Sequence, residues 1–266
     1  MSTSRDLFDW DDDSYEEHFA AVGDLFGSFD TPEEIIAQAR GWWATEDSKV
    51  QALGFDLLAV QAVDFSWHVE PLIEAADALD LDTADEDVRW SAAHALGTIC
   101  DDERVLFPLL RFAGDPVSEI RWQVACGIPV GVDPLPEPAV QTMLGLMRDP
   151  EAGVRDWATM ILGARENNDT QEIRDAFAER LDDKGDDVAG EAAVALAARH
   201  DPRVLPVLAE MLADPMVGNL YVEAAACLGD ARLLPLLRTL KDGGWQDDEP
   251  DPEILDKAIE ACAQTR

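Results

Sequence analysis

Three Leu-Gly pairs, Leu96-Gly97, Leu162-Gly163 and Leu228-Gly229, recur at intervals of 66 residues. A degenerate copy falls between neighbouring pairs, Ile128-Pro129 in the first gap and Leu196-Ala197 in the second, so the underlying period is 32 to 34 residues. A single closed core imposes no such period. A stack of like supersecondary units does, because each unit buries its apolar face only against the next. The chain is therefore expected to form a solenoid, an architecture that recognises other molecules more often than it transforms them.

Within each copy the apolar spacing is helical. With Val88 as origin, Val88, Ala92, Ala95, Leu96 and Ile99 share one face, and the acids Asp85 to Asp87 suit a helix N-terminus. The plan recurs at Ile120, Val124, Ala125 and Ile128, at Val154, Ala158 and Leu162, at Val188, Ala192 and Leu196, and at Leu220, Ala224 and Leu228. Asp115-Pro116, Asp149-Pro150 and Asp214-Pro215 head three of these helices, with Asp read as the cap and Pro as the first helical residue. Gly at the tail is read as a left-handed stop. Shorter helices alternate with these: Arg104 to Leu110, Arg203 to Leu208 and Arg232 to Leu237 echo one another, each with an early Pro. Segments 136–147 and 171–181 fill the same slot.

Each unit thus reads as first helix, tight turn, second helix. Upstream, Glu33 to Trp43 and Glu46 to Ala59 form a decayed pair, and Trp67 to Leu79 opens the next behind which lies an acidic linker, Asp80 to Asp87. Ile254, Ala258 and Cys262 fit a last helix, and Tyr15 to Phe26 an extra capping helix. The expected organisation is an acidic N-terminal segment with a capping helix over residues 1–30, then a solenoid over 31–266.

Charge is the second outlier. The chain has 56 acidic residues against 20 basic ones, a net charge of −36. Its apolar fraction of 47% still places it among folded proteins. Such a field repels phosphate backbones, so nucleic acid is excluded as a general partner. Three readings of the acidity stand: an organism with an acidic proteome, a surface that steers a basic protein, or a mimic of nucleic-acid charge that blocks a basic enzyme. The four cysteines, Cys100, Cys126, Cys227 and Cys262, show no paired spacing and are read as buried thiols in a reducing compartment. Met1 to Asp13 has no apolar run of the kind a signal peptide needs, and no stretch approaches the ~20 apolar residues of a membrane helix. A cytoplasmic protein with no membrane partner is expected.

The run Asp-x-x-Val-Arg-x-x-Ala-x-x-Ala-Leu-Gly, followed by Asp-x-Arg-Val-Leu-Pro-x-Leu, resembles the short bacterial and archaeal HEAT-like repeats, also called PBS-lyase HEAT-like repeats. The resemblance is strong over Asp85 to Leu240 and weaker on either side. It implies an all-α, right-handed α-solenoid (an alpha-alpha superhelix) of about seven helix pairs. It also implies that Arg89, Arg121 and Arg155 pair with acids in a ladder between repeats, for which Asp87, Asp115, Asp149 and Asp187 are available. Ala189 and Tyr221 replace the arginine in later copies, so the ladder stops before Ala189. Enzymes with such repeats can be checked residue by residue. Deoxyhypusine hydroxylase holds two irons through His-Glu pairs, whereas His18, His68, His94 and His200 are each followed by another residue. HEAT-like DNA glycosylases need a basic groove. Phycobilin lyases and other cofactor-handling relatives remain as the alternative, on fold analogy alone.

No phosphate loop, HExxH or nucleophile elbow occurs. The run Asp80 to Asp85 lacks the central Gly of a calcium loop, so no metal, cofactor or catalytic residue is expected. Trp90 and Trp122 hold one register, pointing away from their helix's own core face, and Trp157 lies close to it in the next copy. These rings either fill gaps between repeats or line an exposed second-helix surface. His94 is expected at that surface or at a seam between repeats. Trp and Arg together are the usual composition of an interface hot spot. The expected partner site is therefore Trp90, His94, Trp122 and Trp157, edged by Arg89, Arg121 and Arg155. It would hold a basic protein, in the manner of an inhibitor or immunity protein.

Overall fold

A computed structural model of the chain describes residues 15–59, 66–245 and 253–264, and the regular elements among them are all helical. The acidic tip Met1 to Asp13 and most of the acidic loop 243–252 lie outside the described residues. The helices are α1 (Tyr15–Phe26), α2 (Pro32–Trp43), α3 (Ser48–Ala59), α4 (Val69–Ala78), α5 (Glu86–Gly97), α6 (Leu106–Leu110), α7 (Ser118–Cys126), α8 (Glu137–Leu146), α9 (Ala152–Gly163), α10 (Gln171–Arg180), α11 (Asp186–Ala198), α12 (Val204–Met211), α13 (Asn219–Leu228), α14 (Leu234–Asp242) and α15 (Ile254–Ala263). Two compact units divide the chain, residues 1–132 and 133–266.

In the first unit the second helices α3, α5 and α7 pack side by side, with α2 against α3 and α4 and α6 against α5. Residues Val88, Ala92, Ala95, Leu96 and Ile99 are buried, as their spacing predicts. In the second unit α9, α11, α13 and α15 form the corresponding layer, backed by α8, α10, α12 and α14. Here the last copies depart from expectation. Val154, Ala158, Leu162, Val188, Ala192 and Leu196 are buried, but on α13 the core is Tyr221, Val222, Ala224 and Ala225 while Leu220 and Leu228 are only half-buried. Leu220 instead fills the space over Gly190, where a Cβ would stand 2.7 Å from its Cδ1.

Two further expectations are corrected. Asp115, Asp149 and Asp214 do not cap their helices with Pro at the first turn. Each accepts from the amide two residues on, those of Val117, Glu151 and Met216, and the helix starts later. These are Asx-turns, which the short Asp side chain favours when Pro leaves the next amide missing. Of the three Leu-Gly glycines, only Gly229 takes the left-handed conformation, with φ 62. Gly97 serves close approach: a Cβ on the facing Gly127 would lie 2.6 Å from its Cα. Backbone contact between α5 and α7, and not chain reversal, accounts for that glycine.

The Asp-x-Arg signature has a local cause. Asp102, Asp201 and Asp230 each accept from both the amide and Nε of the arginine two residues on, Arg104, Arg203 and Arg232, at 2.9 to 3.0 Å. One carboxylate so starts each of these first-helix segments and fixes its own arginine. Other arginines tie repeats together by capping exposed carbonyl ends. Arg111 donates to Ala76 and Leu79, and Arg180 to Met147. Arg199, buried 5.0 Å over the Phe177 ring, donates to Leu162, Gly163, Arg165 and Asn168.

Candidate functional site

The arginine ladder exists, with one acid exchanged. Arg89 grips Asp115 through Nε at 2.7 Å and Nη2 at 3.3 Å, and donates to the Ala84 carbonyl. Arg155 grips Asp183, at 2.9 and 2.7 Å, and donates to the carbonyls of Asp149 and Pro150. Arg121 repeats that main-chain contact at Asp115 and Pro116. The acid that meets Arg155 is thus Asp183 and not Asp187. Asp115, Asp149 and Asp183 stand five residues before Ile120, Val154 and Val188, the place that faces the preceding arginine. Asp187 sits one residue before Val188, on the exposed side. Asp183 lacks the Pro that marks its counterparts, and so escapes a search for Asp-Pro. Its bonds to Arg155 hold its carboxyl below the usual carboxylate range, against the opposing effect of burial.

The expected binding residues all lie half-buried on second helices. Trp90 and His94, one turn apart on α5, stack with ring centroids 4.9 Å apart and planes 15° apart. Trp122 and Arg121 stand on α7, which packs against α5. Arg155 and Trp157 belong to α9 in the second unit. His94 is at a seam, but one made by the N-terminal helix. Phe19 of α1 meets its ring at 5.0 Å. One residue earlier, His18 Nε2 hydrogen-bonds Asp56 Oδ2 at 3.0 Å, with side chains only 2% and 1% exposed. Burial pushes the His94 imidazole below its ordinary value, against the opposing pull of Asp56 and a hydrogen bond with Gln123. Nothing local in the sequence links His18 to Asp56, 38 residues apart on different helices.

In the second unit, acids gather on the second-helix layer. Glu191 of α11 is half-buried, and burial together with Asp156, Glu223 and Asp187 pushes its carboxyl up to about 7. Asp156 of α9 is also raised, by burial first and Asp187 second. No ion pair joins these four carboxylates to a lysine or arginine among the described residues. Register could have found them: Glu191 and Glu223 hold the same place in successive copies, and Asp156 takes the place of Trp90 and Trp122. Cysteines contribute little. Cys262 is buried and Cys126 half-buried, both thiols raised to about 11 chiefly by burial, while Cys100 and Cys227 are exposed, contrary to the expectation of four buried thiols.

Among the described residues no group of three or more His, Cys, Asp or Glu is arranged to hold a metal ion, and no helix is long and apolar enough to cross a membrane. Residues 139–229, spanning α8 to the end of α13, match the family model for HEAT repeats. Those residues carry HEAT repeats. Over 148 residues it is 36% identical to protein YibA of Escherichia coli (strain K12), and equally to YibA of Escherichia coli O157:H7. That alignment covers 56% of this chain and 50% of YibA, so the chain spans about half the length of the curated relatives it matches. The X-ray structure of Escherichia coli YibA matches 99% of this chain and 93% of its own, with a TM-score of 0.73 at 24% identity, which shows a shared fold. Stacked helix pairs of this kind suit protein interaction.

Proposed function

We propose that the chain is a non-catalytic scaffold that holds a basic protein on its second helices. The observation that carries this is the carboxylate group Asp156, Asp187, Glu191 and Glu223. Burial first, and then the like charges of Asp156, Glu223 and Asp187, push Glu191 up to about 7, so each further negative charge there costs free energy. A lysine or arginine brought by a partner relieves that repulsion, and such relief is available only to a cation. The net charge of −36 draws the same partner in by long-range attraction. Trp157 is the aromatic anchor in the second unit; in the first unit that part falls to Trp122, with Trp90 and His94 beside the N-terminal helix. Arg89 and Arg121 in the first unit, and Arg155 in the second, hold the second helices of their own unit in place. A concrete form of such a scaffold is an inhibitor or immunity protein that neutralises a basic toxin or nuclease.

The test is capture from the native lysate on immobilised full chain, with the partner identified by mass spectrometry. The expectation is a protein of high isoelectric point that is retained at about 0.05 M salt and released near 0.5 M, where screening shortens the reach of charge. A Glu191→Lys/Glu223→Lys variant should fail to retain it. Capture indifferent to both salt and charge reversal would overturn the proposal.

A further inference from the structure

The helix α1 lies on the second-helix layer of the first unit, beside the Trp90 and His94 of the proposed partner site. Its sequence, Tyr-Glu-Glu-His-Phe-Ala-Ala-Val-Gly-Asp-Leu-Phe, places His18, Phe19, Val22 and Phe26 on one face. His18 and Val22 are buried, Phe19 rests on His94, and Phe26 stacks over Trp67 with centroids 6.4 Å apart. Beneath it every residue of α3 from Ala52 to Ala59 is buried. Helices α2 and α5 cover much of α3 as well, but lifting α1 away would bare Asp56 and the apolar ground beneath Phe19, Val22 and Phe26, so α1 is replaced more readily than it is simply lifted off.

Charge makes it a poor match for its own site. Glu16, Glu17 and Asp24 are exposed on α1, the helix has neither lysine nor arginine, and it sits on a chain of net charge −36. Asp56, a carboxylate 1% exposed in its side chain, receives only the His18 imidazole from α1. A lysine or arginine in that place would offer a permanent positive charge to the same oxygen. We propose that α1 is a self-docked guard over this face, and that a cationic amphipathic helix of the partner, with a lysine or arginine beside an aromatic residue at the His18-Phe19 spacing, displaces it. The proposal rests on the reading of the second helices as the docking surface for a basic protein.

The test uses the full chain and a synthetic peptide of residues 15–26 carrying Glu16→Lys, Glu17→Lys, His18→Lys and Asp24→Lys. Peptide binding is followed by anisotropy, and the amides of α1 by hydrogen exchange. Peptide should speed exchange across α1 as it binds. Phe19→Ala, which loosens the guard, should tighten peptide binding roughly tenfold, the order expected for losing a half-buried ring contact. Asp24→Lys, which removes like charge at a helix C-terminus, should slow α1 exchange and weaken peptide binding. Salt should slow α1 exchange while it weakens the peptide. The proposal is overturned if the peptide does not bind, if it binds with α1 exchange unchanged, or if both variants move its affinity the same way. A native partner lost with Glu191→Lys/Glu223→Lys, yet leaving α1 exchange unaltered, would sink the guard alone. Displacement by peptide with no salt-sensitive partner would sink the scaffold reading alone.

Discussion

Replacing Glu191 by glutamine should stabilise the protein at pH 8 and leave it nearly unchanged at pH 4.5. In the folded chain this carboxyl is raised from 4.5 to about 7 by burial and by Asp156, Glu223 and Asp187. The folded state therefore binds its proton more tightly than the unfolded state does. Stability contributed by that proton is complete below about 4.5, falls as pH rises through 7, and is gone above it. At about 1.4 kcal/mol for each tenfold change in proton affinity, the full penalty on the ionised side chain is about 3 kcal/mol. Solvent reaches a half-buried group and screens it, so a measured gain on the order of 1–2 kcal/mol is expected for Glu191→Gln at pH 8. Urea unfolding at pH 4.5, 6 and 8 measures it directly. A gain equal at all three pH values would mean that shape and not charge is at work, and no gain at pH 8 would refute the repulsion on which the proposed docking depends. If the partner's cation relieves the same repulsion, the variant should also bind that partner more weakly. Stability and binding then move in opposite directions, as at sites strained for function.

Other perturbations address the frame. Gly127→Ala drives a Cβ to 2.6 Å from Gly97 Cα and 2.7 Å from the Gln123 carbonyl; α5 and α7 must part, at a cost of about 1–3 kcal/mol, read as a lower thermal midpoint. Arg155→Ala and Asp183→Ala should each destabilise, and their double-mutant cycle should show coupling on the order of 1 kcal/mol, whereas Arg155→Ala with Asp187→Ala should be additive. Because the Asp183 carboxyl is held below its ordinary value of 3.8, its contribution is complete above that pH and is lost on further acidification. Asp183→Asn should accordingly flatten the acid limb of the stability profile. Trp157→Ala should weaken partner binding by about 2 kcal/mol or more, measured by calorimetry, with secondary structure intact by circular dichroism.

Repetition made much of this protein legible in its residues. The period of 32 to 34, the helical spacing and the Val88-type core positions all concern contacts that each copy makes with itself or its neighbour, so one rule read in one copy serves the rest. The span of α1, Tyr15 to Phe26, was legible in its own residues, and Ile254, Ala258 and Cys262 do fall on the last helix. Legibility failed where copies lose their markers. Asp183 has no Pro after it, and Leu220 and Tyr221 shift the buried face of α13 because Gly190 leaves room for a side chain from the next helix. The Leu-Gly signature was visible, but its cause was not: a glycine that ends a chain reversal and one that admits another backbone look alike as letters.

Sequence alone determined a helical solenoid of strongly acidic character, because periodicity and net charge are sums over residues that need no coordinates. Tertiary structure decided which acids share a neighbourhood and which surface the chain covers for itself. Asp156, Glu191 and Glu223 come from three helices, and His18 reaches Asp56 across 38 residues. Electrostatic repulsion and burial depend on separations of a few ångströms, and those distances exist only once the helices have packed.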